Sequence, residues 1–312
     1  MQSDMTIDLA IAELRDETDR IRIFDLQGTG ELPGYSTGAH LKFETPAGSR
    51  SYSLIDYDVP ANVPEMYRIA VQREDEGDGG SRFMHGLGIG DRLSAEAPKN
   101  DFPLTDHLAP ALLLAGGIGI TPLIGHAAAL KAAGCPYSLH YSARSLAVMG
   151  FCERMQQAHG DAAHLWFDDA RPLDLSALLG GLDPATHLYV CGPKGMIEAA
   201  REAALLPANQ IHFELFTTDA AQDGDDSFEV EINDGRVFTI PAGRTIIEVL
   251  ENEGIDLIYD CQRGDCGICQ TDVLEGTPDH RDVVLSQSER DAGDVMQICV
   301  SRAKTGRLKL DI

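Results

Sequence analysis

The sequence predicts a multidomain chain: an antiparallel β-barrel, then an α/β domain on a parallel sheet, then a small α+β domain. Three observations predict this. Short alternating runs broken by Gly, Pro, Asn and Asp fill the first hundred residues. From Ala109 onward, continuous apolar runs alternate with Ala-rich helical stretches. Beyond residue 227 strand patterns return, and four of the seven cysteines gather there. The 312 residues suit two or three ordinary domains.

Composition sets further bounds. Apolar residues make up 43% of the chain, which excludes disordered and low-complexity classes. Fifty Asp and Glu against 25 Lys and Arg leave a net charge of −25. Such a chain repels nucleic acid and anionic membrane surfaces, so neither is expected as a partner. The charge either attracts a basic partner protein or only keeps the chain soluble. The most apolar run, residues 111–125, is too short for a membrane span and is interrupted by Gly, Thr and Pro. Acidic residues at the start and an odd cysteine count point to a reducing, cytoplasmic location and against a disulfide framework.

The elements follow in order. Residues 21–24, 40–43 and 67–71 alternate as barrel strands do. Residues 111–115 read as a strand buried on both faces, followed by a Gly-rich turn and a helix over 123–133. A strand is predicted at 137–141, a helix at 147–158, a strand at 187–190 and a helix at 194–205. Residues 217–227, acidic and poor in apolar side chains, read as a linker. Strands at 228–232 and 237–240 flank Asn233-Asp234-Gly235, a hairpin signal. Thr245 opens a helix through Asn252, with Glu248 placed to complete a capping box.

The sharpest motif is Cys261, Cys266, Cys269 and the more distant Cys299. The spacing C-x4-C-x2-C…C is that of plant-type 2Fe-2S ferredoxins. Thiolates are soft anionic ligands suited to iron and sulfide. Gly264 and Gly267 let the backbone curl and aim N–H groups at sulfur. A structural zinc site competes, but such sites more often pair two C-x2-C knuckles, and only one is present.

Residues 228–312 resemble a plant-type ferredoxin domain, which is an α+β β-grasp fold. Ser227-Phe228-Glu229-Val230, residues 241–250, Asp279-His280-Arg281-Asp282 and residues 299–304 carry that resemblance along with the cysteines. With this domain placed last, the whole chain resembles the phthalate dioxygenase reductase family, which includes the reductase components of vanillate, carnitine and similar Rieske-type oxygenases. The resemblance implies three domains: a flavin-binding barrel at 1–108, an NAD-binding α/β domain at 109–220 and a 2Fe-2S ferredoxin domain at 224–312.

Arg50-Ser51-Tyr52-Ser53 matches the R-x-Y-S signature of that superfamily. The match implies that the Arg neutralises flavin phosphate, the Tyr packs on the flavin and the Ser meets the ring edge. Ala70-Val71-Gln72 and Gly79-Gly80-Ser81-Arg82 are implied at the ring and the phosphate; a plain hairpin turn is the ordinary reading of those glycines. A C-terminal ferredoxin domain goes with FMN in this family, and an N-terminal one with FAD. Gly116-Gly117-Ile118-Gly119-Ile120-Thr121-Pro122 departs from the G-x-G-x-x-G fingerprint but matches the superfamily's G-G-x-G-x-T-P form.

The resemblance sets Thr121 near nicotinamide and flavin, and Cys191 of Cys191-Gly192-Pro193 beside the nicotinamide C4. It sets Ser142, Arg144 and Ser145 near the adenosine ribose. An Arg at this place suggests a 2′-phosphate, yet the family keeps it while using NADH. Phe216 is implied near the flavin; a core strand residue is the equal alternative. Ser53, Thr121, Cys191 and Phe216 are thus the candidate catalytic residues. The implied activity takes two electrons from NADH through FMN to the cluster, then singly to a Rieske-type oxygenase, and the chain is expected to be a monomer. Asp260 and Asp265 around the cysteine loop predict a negative field there.

Overall fold

Period-two alternation is realised as a six-stranded antiparallel sheet. Its strands are β1 (Thr6–Asp16), β2 (Ile21–Gly28), β3 (His40–Thr45), β4 (Gly48–Ser53), β5 (Tyr67–Gln72) and β6 (Arg92–Glu96). A short helix, α1 (Gly80–His85), precedes β6. The computed structural model describes residues 6–58, 60, 63–77, 79–105, 109–216 and 224–312. The chain divides into two compact units, Met1–Glu214 and Leu215–Ile312.

In the first unit the barrel order is β4-β3-β6-β1-β2-β5, and a bridge from Leu54 to Ile69 links the two ends. The sheet is therefore nearly closed, which leaves little exposed edge. Leu9, Ile11, Phe24, Leu26, Leu41, Phe43, Tyr67 and Ile69 fill its interior. Each such side chain contributes roughly 1.5–3 kcal/mol on burial.

The same unit carries a five-stranded parallel sheet. It comprises β7 (Ala111–Gly116), β8 (Tyr137–Ala143), β9 (Ala163–Phe167), β10 (His187–Cys191) and β11 (Ile211–Glu214), in the order β11-β10-β7-β8-β9. Every residue of β7 is buried, as its unbroken apolar run predicts. Its helices are α2 (Ile120–Ala133), α3 (Cys152–His159), α4 (Leu175–Leu179) and α5 (Lys194–Ala203). The strand order reverses between β7 and β10, so a crevice lies outside their C-terminal ends.

Helix boundaries differ from the sequence reading at three places. Helix α2 begins at Ile120, taking Thr121 and Pro122 into its first turn. Pro is well suited there because its missing N–H costs nothing in a first turn. The expected helix at 147–158 starts only at Cys152, after a 3₁₀ turn at Leu146–Val148 and a left-handed Phe151 with φ 63°. Helix α5 stops at Ala203: Ala204 is already extended, and Leu205 is 82% exposed.

The second unit is a mixed sheet, β13-β12-β18-β14-β16, covered by one helix. Its elements are β12 (Phe228–Glu231), β13 (Val237–Ile240), α6 (Ile246–Asn252), β14 (Gln270–Glu275), β15 (Pro278–Asp279), α7 (Gln287–Ala292), β16 (Val295–Gln297), β17 (Arg302–Ala303) and β18 (Arg307–Leu310). Strands β12 and β18 run parallel, whereas β12–β13 is the expected hairpin. Thr245 and Glu248 form the capping box of α6, which buries Ile246, Ile247 and Leu250 against the sheet. This is the α+β, β-grasp architecture expected of the C-terminal part. The expected linker lies mostly outside the described residues, at 217–223, and the barrel's expected end falls on 106–108, also outside them. Among the described residues no helix is long and apolar enough to cross a membrane.

Candidate functional site

The candidate residues form three groups, one on each of the three large sheets. The first is the cysteine loop. Strand β14 begins directly after Cys269, and Cys299 follows β16 closely. Gln270 pairs with Gln297 across those strands, and Ile298 N–H reaches the Cys269 carbonyl at 3.4 Å. The ladder thus brings the third and fourth cysteines together across a long sequence gap. The neighbouring Cys266 and Cys299 side chains hold the Cys261 thiol well below the ordinary thiol range, and Cys299 lowers that of Cys269. Cys269 and Cys299 are buried, Cys261 is half-buried and Cys266 is exposed.

Among the described residues no three His, Cys, Asp or Glu side chains converge as a single-ion site requires. The C-x4-C-x2-C…C spacing is that of a binuclear 2Fe-2S cluster, for which four thiolates are the fitting donor set. Gly264 has φ +80°, and a Cβ there would lie 2.6 Å from Val300 Cγ2, so the loop bends where only Gly fits. The Arg263 N–H points at Cys261 Sγ at 3.3 Å.

Asp265 does not face outward as the loop's composition suggested. Its side chain is 5% exposed, pairs with Arg263 at 3.3 Å and accepts the Leu215 N–H at 3.0 Å. Burial pushes its carboxyl up to about 7. Ile258 and Ile268 supply exposed apolar surface before and within the loop instead. Phe216 is half-buried in this second unit, next to Leu215.

The second group sits where the barrel closes. Arg50, Ser51, Tyr52 and Ser53 end β4, and Ala70, Val71 and Gln72 end β5. The Leu54–Ile69 bridge sets these segments side by side. Gly79, at φ +101°, turns the chain into α1, which carries Gly80, Ser81 and Arg82. A Cβ at Gly80 would lie 2.7 Å from the Arg50 side chain, so Arg50 crosses that helix start. Ser81 Oγ accepts the Glu74 N–H at 3.0 Å, and Arg82 donates to the Asp75 carbonyl. Tyr52 lies 6.0 Å from Phe43, centroid to centroid, and burial pushes its hydroxyl up to about 12.

Ser53 Oγ is buried with no hydrogen-bond partner among the described residues. Leaving such an atom unsatisfied costs about 1–3 kcal/mol, so it fits a ligand's polar edge. Two guanidinium groups beside a glycine turn fit a phosphate.

The third group occupies the crevice of the parallel sheet. Ala115 pairs with Cys191 and Gly116 with Ser142, so the glycine turn lies between the ends of β8 and β10. A Cβ at Gly119 would lie 2.2 Å from the Cys191 carbonyl oxygen, an approach closed to any other residue. Thr121 is buried and donates to the Ile118 carbonyl at 3.0 Å. Gly117 and Pro122 flank this turn, and Gly192 and Pro193 lead from Cys191 into α5. Ser142 is buried, Ser145 half-buried and Arg144 exposed at the end of β8. The backbone cradle fits a pyrophosphate.

Sequence reasoning missed the seam that joins barrel and parallel sheet within the first unit. Glu17 Oε1 accepts the Phe151 N–H at 2.6 Å, just where α3 was expected to be already under way. Tyr57 lies beneath Arg154 at 3.9 Å and Arg68 at 5.3 Å. Elsewhere along the seam Phe102 stacks on His126, and Thr105 Oγ1 and Tyr189 Oη share a 2.6 Å hydrogen bond. His126 is fully buried, which pushes its imidazole down to about 3. These pairs have no local sequence pattern, because each joins segments far apart in the chain.

Residues 230–304 match the family of 2Fe-2S iron–sulfur cluster binding domains. Over 314 residues the chain is 38% identical to the phenoxybenzoate dioxygenase subunit beta of Ectopseudomonas oleovorans, covering 98% of this chain and 97% of that one. It is similar to the structure of an intact type IV self-sufficient cytochrome P450 monooxygenase, with TM-score 0.71 and 34% identity. That match covers 98% of this chain but spans only 41% of the larger protein. It is also similar to phthalate dioxygenase reductase, a modular structure for electron transfer from pyridine nucleotides to a 2Fe-2S centre. There the TM-score is 0.74 and the identity 32%, over 100% of this chain and 99% of that one. With barrel, parallel sheet and cysteine loop matched end to end, the chain belongs to the phthalate dioxygenase reductase family of oxidoreductases.

Proposed function

We propose that this protein is the NADH-dependent reductase component of an oxygenase system, built from an FMN barrel (1–108), an NAD domain (109–220) and a 2Fe-2S domain (224–312). When bound, FMN accepts two electrons from the nicotinamide and releases them one at a time to the cluster.

The chain's own residues serve that sequence. Arg50 and Arg82, with the turn at Gly79, Gly80 and Ser81, neutralise the flavin phosphate. Tyr52 and the backbone of Ala70, Val71 and Gln72 flank the ring, and Ser53 hydrogen-bonds its edge. The turn from Gly116 through Gly119, with Pro122 behind it, receives the pyrophosphate. Ser142, Arg144 and Ser145 hold the adenosine ribose. Thr121, Cys191, Gly192 and Pro193 bound the nicotinamide and keep water from it. Phe216 follows β11, where the chain passes into the ferredoxin part. Cys261, Cys266, Cys269 and Cys299 hold the cluster.

The observation that carries this reading is the β14–β16 register, which sets Cys269 of the cysteine loop beside the distant Cys299. The partner is a Rieske-type oxygenase, and the reductase works as a cytoplasmic monomer. A haem-containing oxygenase is the second reading, favoured by the similarity to part of a self-sufficient cytochrome P450 monooxygenase chain. Anaerobic addition of NADH to purified protein should bleach the flavin band and then the iron–sulfur band, with NADPH far slower. Mass spectrometry of the released flavin should give FMN. A colourless protein overturns the reading. Reduction of a P450 haem in preference to a Rieske centre selects the second one.

A further inference from the structure

We propose that the buried Gln297 amide donates a hydrogen bond to the Cys269 thiolate once that sulfur ligates iron, and that this bond raises the reduction potential of the cluster. The inference rests on the cluster reading above. Gln297 is 0% exposed and Cys269 3% exposed, so no water competes for their contact. In the thiol form Cys269 Sγ–H donates to Gln297 Oε1 at 3.4 Å, while Gln297 Nε2 donates to Gln270 Oε1 at 3.1 Å.

Ligation changes the chemistry of that contact. The S–H bond breaks, an Fe–S bond forms, and the proton leaves to solvent. The thiolate then has only lone pairs to offer. A carbonyl oxygen facing it inside a dry pocket leaves two acceptors opposed and both unsatisfied. A half-turn of the Gln297 amide cures this, because Nε2–H then points at the sulfur and Oε1 at Gln270. Gln270 is exposed, so its own amide turns freely to donate. The β14–β16 ladder holds the pair in register throughout.

One electron entering the cluster adds negative charge that spreads onto its sulfurs. A donor on Cys269 stabilises the reduced form more than the oxidised one, which raises the potential. Gln297 is thus a tuning residue that acts through a ligand.

The test is a redox titration of the holoprotein followed by the electron paramagnetic resonance of the reduced cluster. Gln297→Met keeps the length of the side chain and removes the donor. At a fixed poise its ratio of reduced to oxidised cluster should fall about threefold to tenfold, tenfold being 59 mV for one electron. An intact signal with an unchanged midpoint overturns the inference while leaving the cluster reading in place. Absence of any cluster signal in the wild type overturns both. If Gln297→Met fails to hold a cluster, holoprotein labelled with nitrogen-15 only at Gln side chains decides. It is used in a Gln262→Gly, Gln270→Ser background, which removes the side-chain nitrogens of the two Gln that directly follow cluster cysteines. A nitrogen-15 coupling to the reduced cluster supports the donor, and its absence rules the donor out.

Discussion

Single side chains here are pinned by contacts whose loss has a size. With Arg50 on the flavin phosphate as proposed, removing its guanidinium takes away a charge-assisted contact worth about 1.5–3 kcal/mol, or roughly tenfold to a hundredfold in affinity. Arg50→Ala should therefore lose flavin on dilution and gel filtration while its melting temperature moves little; wild-type flavin content would remove Arg50 from the phosphate site. Gly119→Ala meets the Cys191 carbonyl at 2.2 Å, so either the turn or the end of β10 must shift. We expect at least about a tenfold rise in the KM for NADH with unchanged flavin content, since a misplacement of about 1 Å is enough for such losses.

His126 gives a pH dependence. Its folded value of about 3 lies below the ordinary 6.5 because burial disfavours the cation. The unfolded chain binds a proton below about 6.5 and the folded one only near 3, so this group erodes stability as pH falls through that window. Each unit of displacement is worth ~1.4 kcal/mol. His126→Gln should flatten the stability profile between those limits, measured by urea unfolding at stepped pH; an equally steep profile would absolve His126.

Elements divide by how local their signals are. The capping box of α6 is written in four consecutive residues, Thr245 to Glu248, and the structure carries it unchanged. Thr245→Ala should cost about 1 kcal/mol, seen as a lower denaturant midpoint at constant slope. The hairpin at Asn233-Asp234-Gly235, the buried β7 and the cysteine spacing are equally local, and all three were legible. Helix α3 was not. Its residues have helical composition from Ala147 onward, yet the α-helix starts only at Cys152, after a left-handed Phe151 whose N–H is bound by Glu17, over a hundred residues earlier. Asp265 misled for a related reason: a carboxylate in a loop reads as solvent-facing until Arg263 and the Leu215 N–H draw it inward. Gln297 carries no motif at all, since its meaning depends on which sulfur the β14–β16 register sets beside it.

Across the whole molecule the dominant quantity is a net charge of −25. Charges steer an oppositely charged partner from a distance, and about 0.1 M salt screens them beyond roughly 10 Å. Electron transfer to the oxygenase should therefore slow severalfold between about 0.01 and 0.5 M salt, whereas NADH oxidation by ferricyanide changes little. Stopped-flow traces with the cognate oxygenase check this. The inward turn of Asp265 and the exposed Ile258 and Ile268 give a flat profile a definite meaning: docking would then rest on that apolar surface rather than on charge.

The parallel pairing of β12 with β18 has a consequence in time. Strand β18 is central to its sheet, between β12 and β14, yet it is the last of the strands to be synthesised. Until it emerges, the ribosome holds a domain in two unjoined halves. Translation proceeds at about 5–20 residues per second, so Cys261 precedes Leu310 by roughly 2–10 s. During that interval the first three thiols stand in an open loop, accessible to whatever delivers iron and sulfide. A cell that supplies them slowly leaves these thiols to oxidants at the stage when the loop is least protected.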